Sequence, residues 1–393
     1  MPGLLFHHVR LPSLETGWLE TRGTKIFGLG PGAPPSPDPD VTRIDGRGLT
    51  LLPGFIDVHN HGALGHEVMD ADDGGLTKIA RFLATHGVTS FLPTTWTAPP
   101  DRTLAALESI AEAMRRPREP GTARVLGAHM EGPYLNPVRA GAQDPAHMRP
   151  PEPGELDRYL ALGIVRLMTL APELPAYADV LDELVRRGIT ASAGHTDATY
   201  AHMVAAVERG VRHATHTFNA MRPLHHRDPG TVGACLTIDA LRCELIADGH
   251  HVAPVVMDVL LRARGAGGVV LVTDAVRPTG LPEGVHRLDD RTVEVRGGTV
   301  RLPGGGLAGS VLTLDRGLRN LALASGREPA ALWRTASANA AESIGVADRK
   351  GRLEAGLDAD LVLVADDVTV QATVVEGEVA FAADRGPLSG VGA

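Results

Sequence analysis

Leu49-Thr-Leu-Leu-Pro-Gly-Phe-Ile-Asp-Val58 is a short apolar run that opens directly into His59-Asn60-His61-Gly62. Alternate residues at a strand end point the same way, so His59 and His61 can chelate one cation, although a bare His-x-His is as readily a pair of loop histidines. The rest of the chain decides between the two. Short apolar runs recur at residues 88–93, 125–130, 165–170, 189–193, 213–217, 243–247 and 269–273, with helical patterns at 75–85, 102–115, 178–187, 199–209 and 254–264. Eight strand-helix repeats predict an α/β protein built on a closed (β/α)8 TIM-like barrel.

Six of these runs end in a chemically capable side chain: His59 and His61, Glu131, His195, His216, His250 and His251, and Asp274. Barrel enzymes build their sites at the carboxyl ends of the strands, where side chains converge over the axis. A doubly wound open sheet is the alternative, but it would gather its ligands at one switch point and not from strands spread along the whole chain. The first fifty or so residues differ. Short strand-like pieces at 4–10, 25–29 and 41–45 are separated by Gly/Pro-rich turns such as 30–39, and pieces at 360–364, 368–375 and 379–382 repeat the pattern at the other end. Both ends are expected to form a small β-sandwich domain, giving 1–52, a barrel over 53–346, and 347–393.

Composition narrows the chemistry. The 393 residues are 43% hydrophobic and 22% charged, as in a folded globular protein, and carry a net charge of −9, which repels nucleic acid and anionic membranes. Lys25, Lys78 and Lys350 are the only lysines and none lies near the motifs, so Schiff-base chemistry and a carbamylated lysine bridge are excluded. Cys235 and Cys243 form no disulfide framework, the start lacks the pattern of a secretion signal, and no stretch has the roughly 18 apolar residues of a membrane span. A cytoplasmic protein is expected.

Histidines and a carboxylate at strand mouths suit Zn²⁺ or Fe²⁺ better than hard cations that prefer all-oxygen shells. With no lysine available, Glu131 is the candidate for a shared ligand. Asp274, after Leu-Val-Thr, is placed to take a proton from attacking water and return it to a leaving group, or alternatively to orient a histidine.

These motifs carry a resemblance. Pro53-Gly-Phe-Ile-Asp-Val-His-Asn-His-Gly62, the Glu131-Gly-Pro turn, Ala193-Gly-His195-Thr-Asp and Thr273-Asp274-Ala resemble the amidohydrolase superfamily. Thr215-His-Thr-Phe-Asn219-Ala-Met-Arg-Pro-Leu-His-His-Arg227-Asp-Pro-Gly230, Ala247-Asp-Gly-His-His251-Val and Leu307-Ala-Gly-Ser310 are similar to its N-acetylglucosamine-6-phosphate deacetylase branch. The resemblance spans residues 51–375. It implies that Glu131, His195 and His216 hold a principal metal, that His59 and His61 add a second, and that Asp274 is general base and acid. It further implies that Arg227 and His251 bind a sugar phosphate, partly across a homodimer interface, with Asn219 and Ala220 assisting, while Ala142, Leu307, Ala308 and Gly309 line the sugar. One departure stands out: where the family pattern has a histidine that helps polarise the carbonyl, this chain has Gln143. Its amide can donate to an oxyanion but cannot become cationic, and His147 is a less favoured substitute. The expected reaction is deacetylation of N-acetylglucosamine 6-phosphate. The alternatives are a deacylase of another N-acyl amino sugar, such as N-acetylgalactosamine 6-phosphate or an unphosphorylated compound, and a non-catalytic sugar-phosphate binder.

Overall fold

The computed structural model describes residues 3–13, 15–35, 40–152 and 154–389, so the 36–39 part of the Pro-rich turn and the extreme ends of the two terminal segments lie outside the described residues. Eight parallel strands form the barrel: Phe55–Asn60, Val88–Thr95, Ala128–Glu131, Val165–Leu170, Thr190–Ala193, Val211–Ala214, Arg242–Ile246 and Val269–Val272. The ring closes where Asn60 bridges Ala275 and the Asp274 amide donates to the His59 carbonyl at 2.9 Å. Val269–Val272 is apolar and buried throughout, as a strand covered on both faces favours, while Phe55–Asn60 is equally buried but carries Asp57, His59 and Asn60. Each fully buried aliphatic side chain contributes about 1.5–3 kcal/mol, which offsets the polar residues carried inside this barrel.

A helix follows every strand: Asp73–Thr85, Pro100–Arg115, Glu155–Leu160, Tyr177–Arg186, Tyr200–Arg209, Gly230–Thr237, Pro254–Gly268 and Leu314–Ser325. The Asp72 side chain caps the first by accepting from the amides of Gly74 and Gly75. Among the described residues no helix is long and apolar enough to cross a membrane.

Two expectations need revising. The run at 49–58 is not one strand. It divides at Gly54 into Thr50–Pro53, which pairs antiparallel with Leu361–Val364, and the first barrel strand. Any Cβ at Gly54 would lie 2.2 Å from Thr89, so only glycine lets the chain pass between the two layers here. The run at 213–217 also ends early: the strand is Val211–Ala214, and His216 lies in the turn beyond it.

The terminal strands form one eight-stranded sheet in which Gly3–Arg10 meets Thr16–Arg22, Val41–Asp45 and Thr50–Pro53. A single apolar core, with Phe6, Leu19, Ile26, Ile44, Leu51, Leu363, Val374 and Val379, draws on all eight strands. An unforeseen four-stranded antiparallel sheet, Gly284–Leu288, Arg291–Arg296, Thr299–Arg301 and Leu307–Ser310, is inserted between the last barrel strand and its helix. It brings Leu307 and Gly309 to the barrel mouth.

Candidate active site

Each candidate ligand leaves the mouth of its strand. Glu131 is the last residue of the third strand, and His59 and His61 bracket the end of the first. His195, His216 and Asp274 adopt positive φ angles of 48°, 30° and 47°. Left-handed backbone costs a non-glycine residue on the order of 1 kcal/mol or more. Three such turns at three strand ends swing these side chains back over the axis.

The side chains meet at Glu131. Its Oε1 lies 3.1 Å from Nε2 of both His195 and His216 and 3.5 Å from Nε2 of His59. Its Oε2 lies 3.3 Å from Nε2 of His61. Asp274 Oδ1 is 3.4 Å from His59 Nε2 and 3.3 Å from His61 Nε2. Second partners fix the rings. Nδ1 of His61 donates to the Thr94 carbonyl at 3.1 Å, Nδ1 of His195 to the Arg139 carbonyl at 2.9 Å, and Nδ1 of His59 to Glu244 at 2.9 Å. These partners only accept, so in the neutral rings the proton sits on Nδ1 and the Nε2 lone pair faces inward. Inward lone pairs around two carboxylates fit a divalent cation. His59–His61–Glu131 and Glu131–His195–His216 each bring their ligand atoms within 4.8 Å of one another.

Electrostatics agrees. Burial alone would lower His59, but Glu131, Glu244 and Asp274 outweigh it and raise the imidazole well above its usual range. Burial would raise Glu131, yet His59, His195 and His216 hold it well below the carboxylate range. Asp274 is likewise held down against burial, chiefly by His59 and His61. The pocket strongly attracts positive charge. His129, beneath His59, stays neutral: burial and then His59 push it down to about 3.

Above this cluster opens a cleft of about 160 Å³, lined by Trp96, Glu131, His195, His216 and Asp274. Gly141, Ala142, Asn219, Ala220, Ile246, His251, Leu307 and Gly309 complete its lining. His251 Nδ1 is tied to Asp248 at 2.7 Å.

Ala308, Gln143 and Arg227 are not among the residues that line this cleft. Ala308 is fully buried in a neighbouring apolar cluster. Gln143 sits behind Glu131, donating from Nε2 to Glu131 Oε2 while its own oxygen accepts from the Thr97 amide at 2.7 Å. Arg227 is exposed, its guanidinium 2.8 Å from the ring of His226, outside the cleft of its own chain. His250 is also exposed, away from the cleft, and His147 is half-buried.

Sequence reasoning missed two participants. Trp96 stacks on His61, with ring centroids 3.9 Å apart and planes at 13°, while its indole N–H donates to Glu67 at 3.3 Å. Glu244 is fully buried and holds His59. A lone acid inside the apolar Cys243–Ile246 stretch was the available signal for the second.

The profile of the Amidohydrolase family matches residues 50–380. The chain belongs to the amidohydrolase family. This amidohydrolase is 39% identical to the N-acetylglucosamine-6-phosphate deacetylase of Bacillus subtilis (strain 168) over 335 residues, 84% of each chain. It is 38% identical to the N-acetylgalactosamine-6-phosphate deacetylase of Escherichia coli O157:H7 over 369 residues, 93% of this chain and 96% of the relative. Its fold is similar, with a TM-score of 0.88 and 33% identity over 96% of this chain and 98% of the other, to a mutant N-acetyl-D-glucosamine-6-phosphate deacetylase from Mycobacterium smegmatis in complex with N-acetyl-D-glucosamine-6-phosphate.

Proposed function

We propose that this amidohydrolase cleaves the acetamide of N-acetylglucosamine 6-phosphate, releasing acetate and glucosamine 6-phosphate in amino-sugar breakdown. The observation that carries it is one cleft with Glu131, His195, His216 and Asp274 at its head and His251, Asn219 and Ala220 on its wall. A divalent ion, Zn²⁺ or Fe²⁺, held by Glu131, His195 and His216, with His59 and His61 available for a second, supplies carbonyl polarisation and a more acidic water. Asp274, ionised at rest, accepts the water proton at its carboxylate and delivers it to the departing nitrogen. His251, oriented by Asp248, offers Nε2 to the phosphate. A phosphate anchored far from the amide adds binding energy that orients the reacting carbonyl. In this reading the protein works in the cytoplasm as a homodimer, in which exposed Arg227, with its planar donors, completes the phosphate site of a partner subunit.

The test is acetate release by the metal-loaded protein, with Asp274→Asn lowering kcat about 10²- to 10⁴-fold. No release from this substrate or its epimer, with the variant indistinguishable from wild type, overturns the proposal. A second substrate reading, N-acetylgalactosamine 6-phosphate, is favoured by the Escherichia coli O157:H7 relative, whose match covers more of this chain than the Bacillus subtilis one. Comparing kcat/KM for the two epimers separates them, and the free sugars measure what the phosphate contributes.

A further inference from the structure

We propose that Glu244 is a positioning residue that commits His59 to a second cation. It lies in the seventh barrel strand, wholly inside the barrel, where a carboxylate is tolerated only when every oxygen is satisfied. Its oxygens are shared unequally. Oε1 takes one bond, from His213 Nε2 at 3.0 Å, and His213 Nδ1 is in turn 2.5 Å from Ser343 Oγ. Oε2 takes two, from the His59 ring at 2.9 Å and from the His216 backbone amide at 2.9 Å.

One oxygen thus sets the ring of a ligand from the first strand against the backbone of a ligand beyond the sixth. His61 and His195 are steered by neutral carbonyls, whereas His59 alone has a carboxylate behind it. A carboxylate behind an imidazole fixes the tautomer and makes the opposite nitrogen a stronger donor. That nitrogen faces His61, Glu131 and Asp274, the groups able to complete a second ion site. At His216 the bond is only to the backbone, which an amide oxygen can still accept. Glu244→Gln therefore weakens the His59 side selectively.

The inference rests on the deacetylase reading for what the ions do, but its test reads binding. Metal-stripped full-length protein is titrated with Zn²⁺ against a chelating dye, with bound metal counted by elemental analysis. Wild type takes up two ions per chain. Glu244→Gln keeps the first at wild-type affinity and loses about 10- to 100-fold at the second. Unchanged affinities, an equal loss at both sites, or a single ion in wild type overturns the assignment. Should Glu244→Gln fail to fold, His213→Asn carries the same test by freeing Oε1, with a smaller loss confined to the second ion expected and equal affinities refuting it. Two ions with no acetate release would sink the proposed reaction and leave the role of Glu244 standing. Acetate release with unaltered ion binding in Glu244→Gln would do the reverse.

Discussion

Replacing Gln143 by leucine separates two roles for the same amide. Gln143 is 3% exposed and uses both ends of its side chain, donating to Glu131 and accepting from the Thr97 amide. Leucine is close in volume, so cavity effects are small, and the loss is two hydrogen bonds. One of them ends on a carboxylate, worth about 1.5–3 kcal/mol, and the other leaves a buried N–H unpaired, at about 1–3 kcal/mol. Part of this appears as lowered stability, and part as lost order in Glu131, the shared acceptor for His195 and His216. Outer partners of metal ligands typically control affinity about 10- to 100-fold. The assay is Zn²⁺ affinity by chelator competition, beside kcat and KM at saturating metal. The expected result is weaker metal binding, with kcat largely restored once metal is in excess. If metal affinity stays within a factor of two while kcat collapses, Gln143 acts on the substrate carbonyl and its bond to Glu131 is incidental.

Three further outcomes are expected. Lys350, 1% exposed, has Nζ 2.5 Å from Asp360, 3.0 Å from Asp358 and 3.6 Å from Glu376. Lys25 and Arg124 still pair with Asp358 and Glu376 when it is gone, so Lys350→Met chiefly strands Asp360, at about 3–5 kcal/mol. For a chain of this length that is a fall in Tm of roughly 4–6 °C by calorimetry, and a shift under 1 °C would refute it. Nearby carboxylates raise Lys350 above 10.5 despite burial, and Glu376 is held below 4.5 mainly by Arg124 and Lys350 against burial. The lysine's contribution is therefore complete below pH 10.5 and lost as pH rises through its folded value, while that of Glu376 is complete above 4.5 and lost in acid. The gap between wild type and variant should be widest between those limits, and denaturant melts across pH check it. Arg227→Ala should lower kcat/KM for the phosphorylated substrate about 10- to 100-fold while leaving the free sugar untouched, consistent with loss of a charged hydrogen bond; equal effects on both would remove it from the phosphate site. Trp96→Ala opens the ligand end of the cleft, so turnover of an N-butyryl analogue relative to the N-acetyl substrate should rise about tenfold or more, and an unchanged ratio would refute its role as a wall.

The barrel was legible because its largely buried strands are short and mostly apolar or β-branched, and helical patterns follow most of them. The ligands were legible because each stands at or just past the end of such a run, His216 being the one the run 213–217 had enclosed. Gly54 was harder, since strands of two different sheets abut there with no polar residue between them. The inserted sheet was missed because its strands are short and half-exposed, although Val293 and Val295 alternate with exposed Thr292, Glu294 and Arg296 between the Asp289-Asp290 and Gly297-Gly298 turns. Gln143 and Arg227 show where motif position falls short. Arg227 sits in a stretch that carries the resemblance and Gln143 is a departure from it, yet Gln143 faces a ligand and Arg227 faces solvent, and only the folded arrangement of their neighbours sets those directions.

The pairing of Thr50–Pro53 with Leu361–Val364 bears on how the protein is made. The first of these strands leaves the ribosome roughly three hundred residues ahead of the second, an interval of about 15–60 s at ordinary elongation rates. Throughout that wait the emerged strands present bare backbone edges and a greasy face to the cell. Newborn chains should therefore lean on chaperones far more than the finished enzyme does, and a ribosome stalled before residue 361 should hold a formed barrel beside an unfinished, adhesive amino terminus.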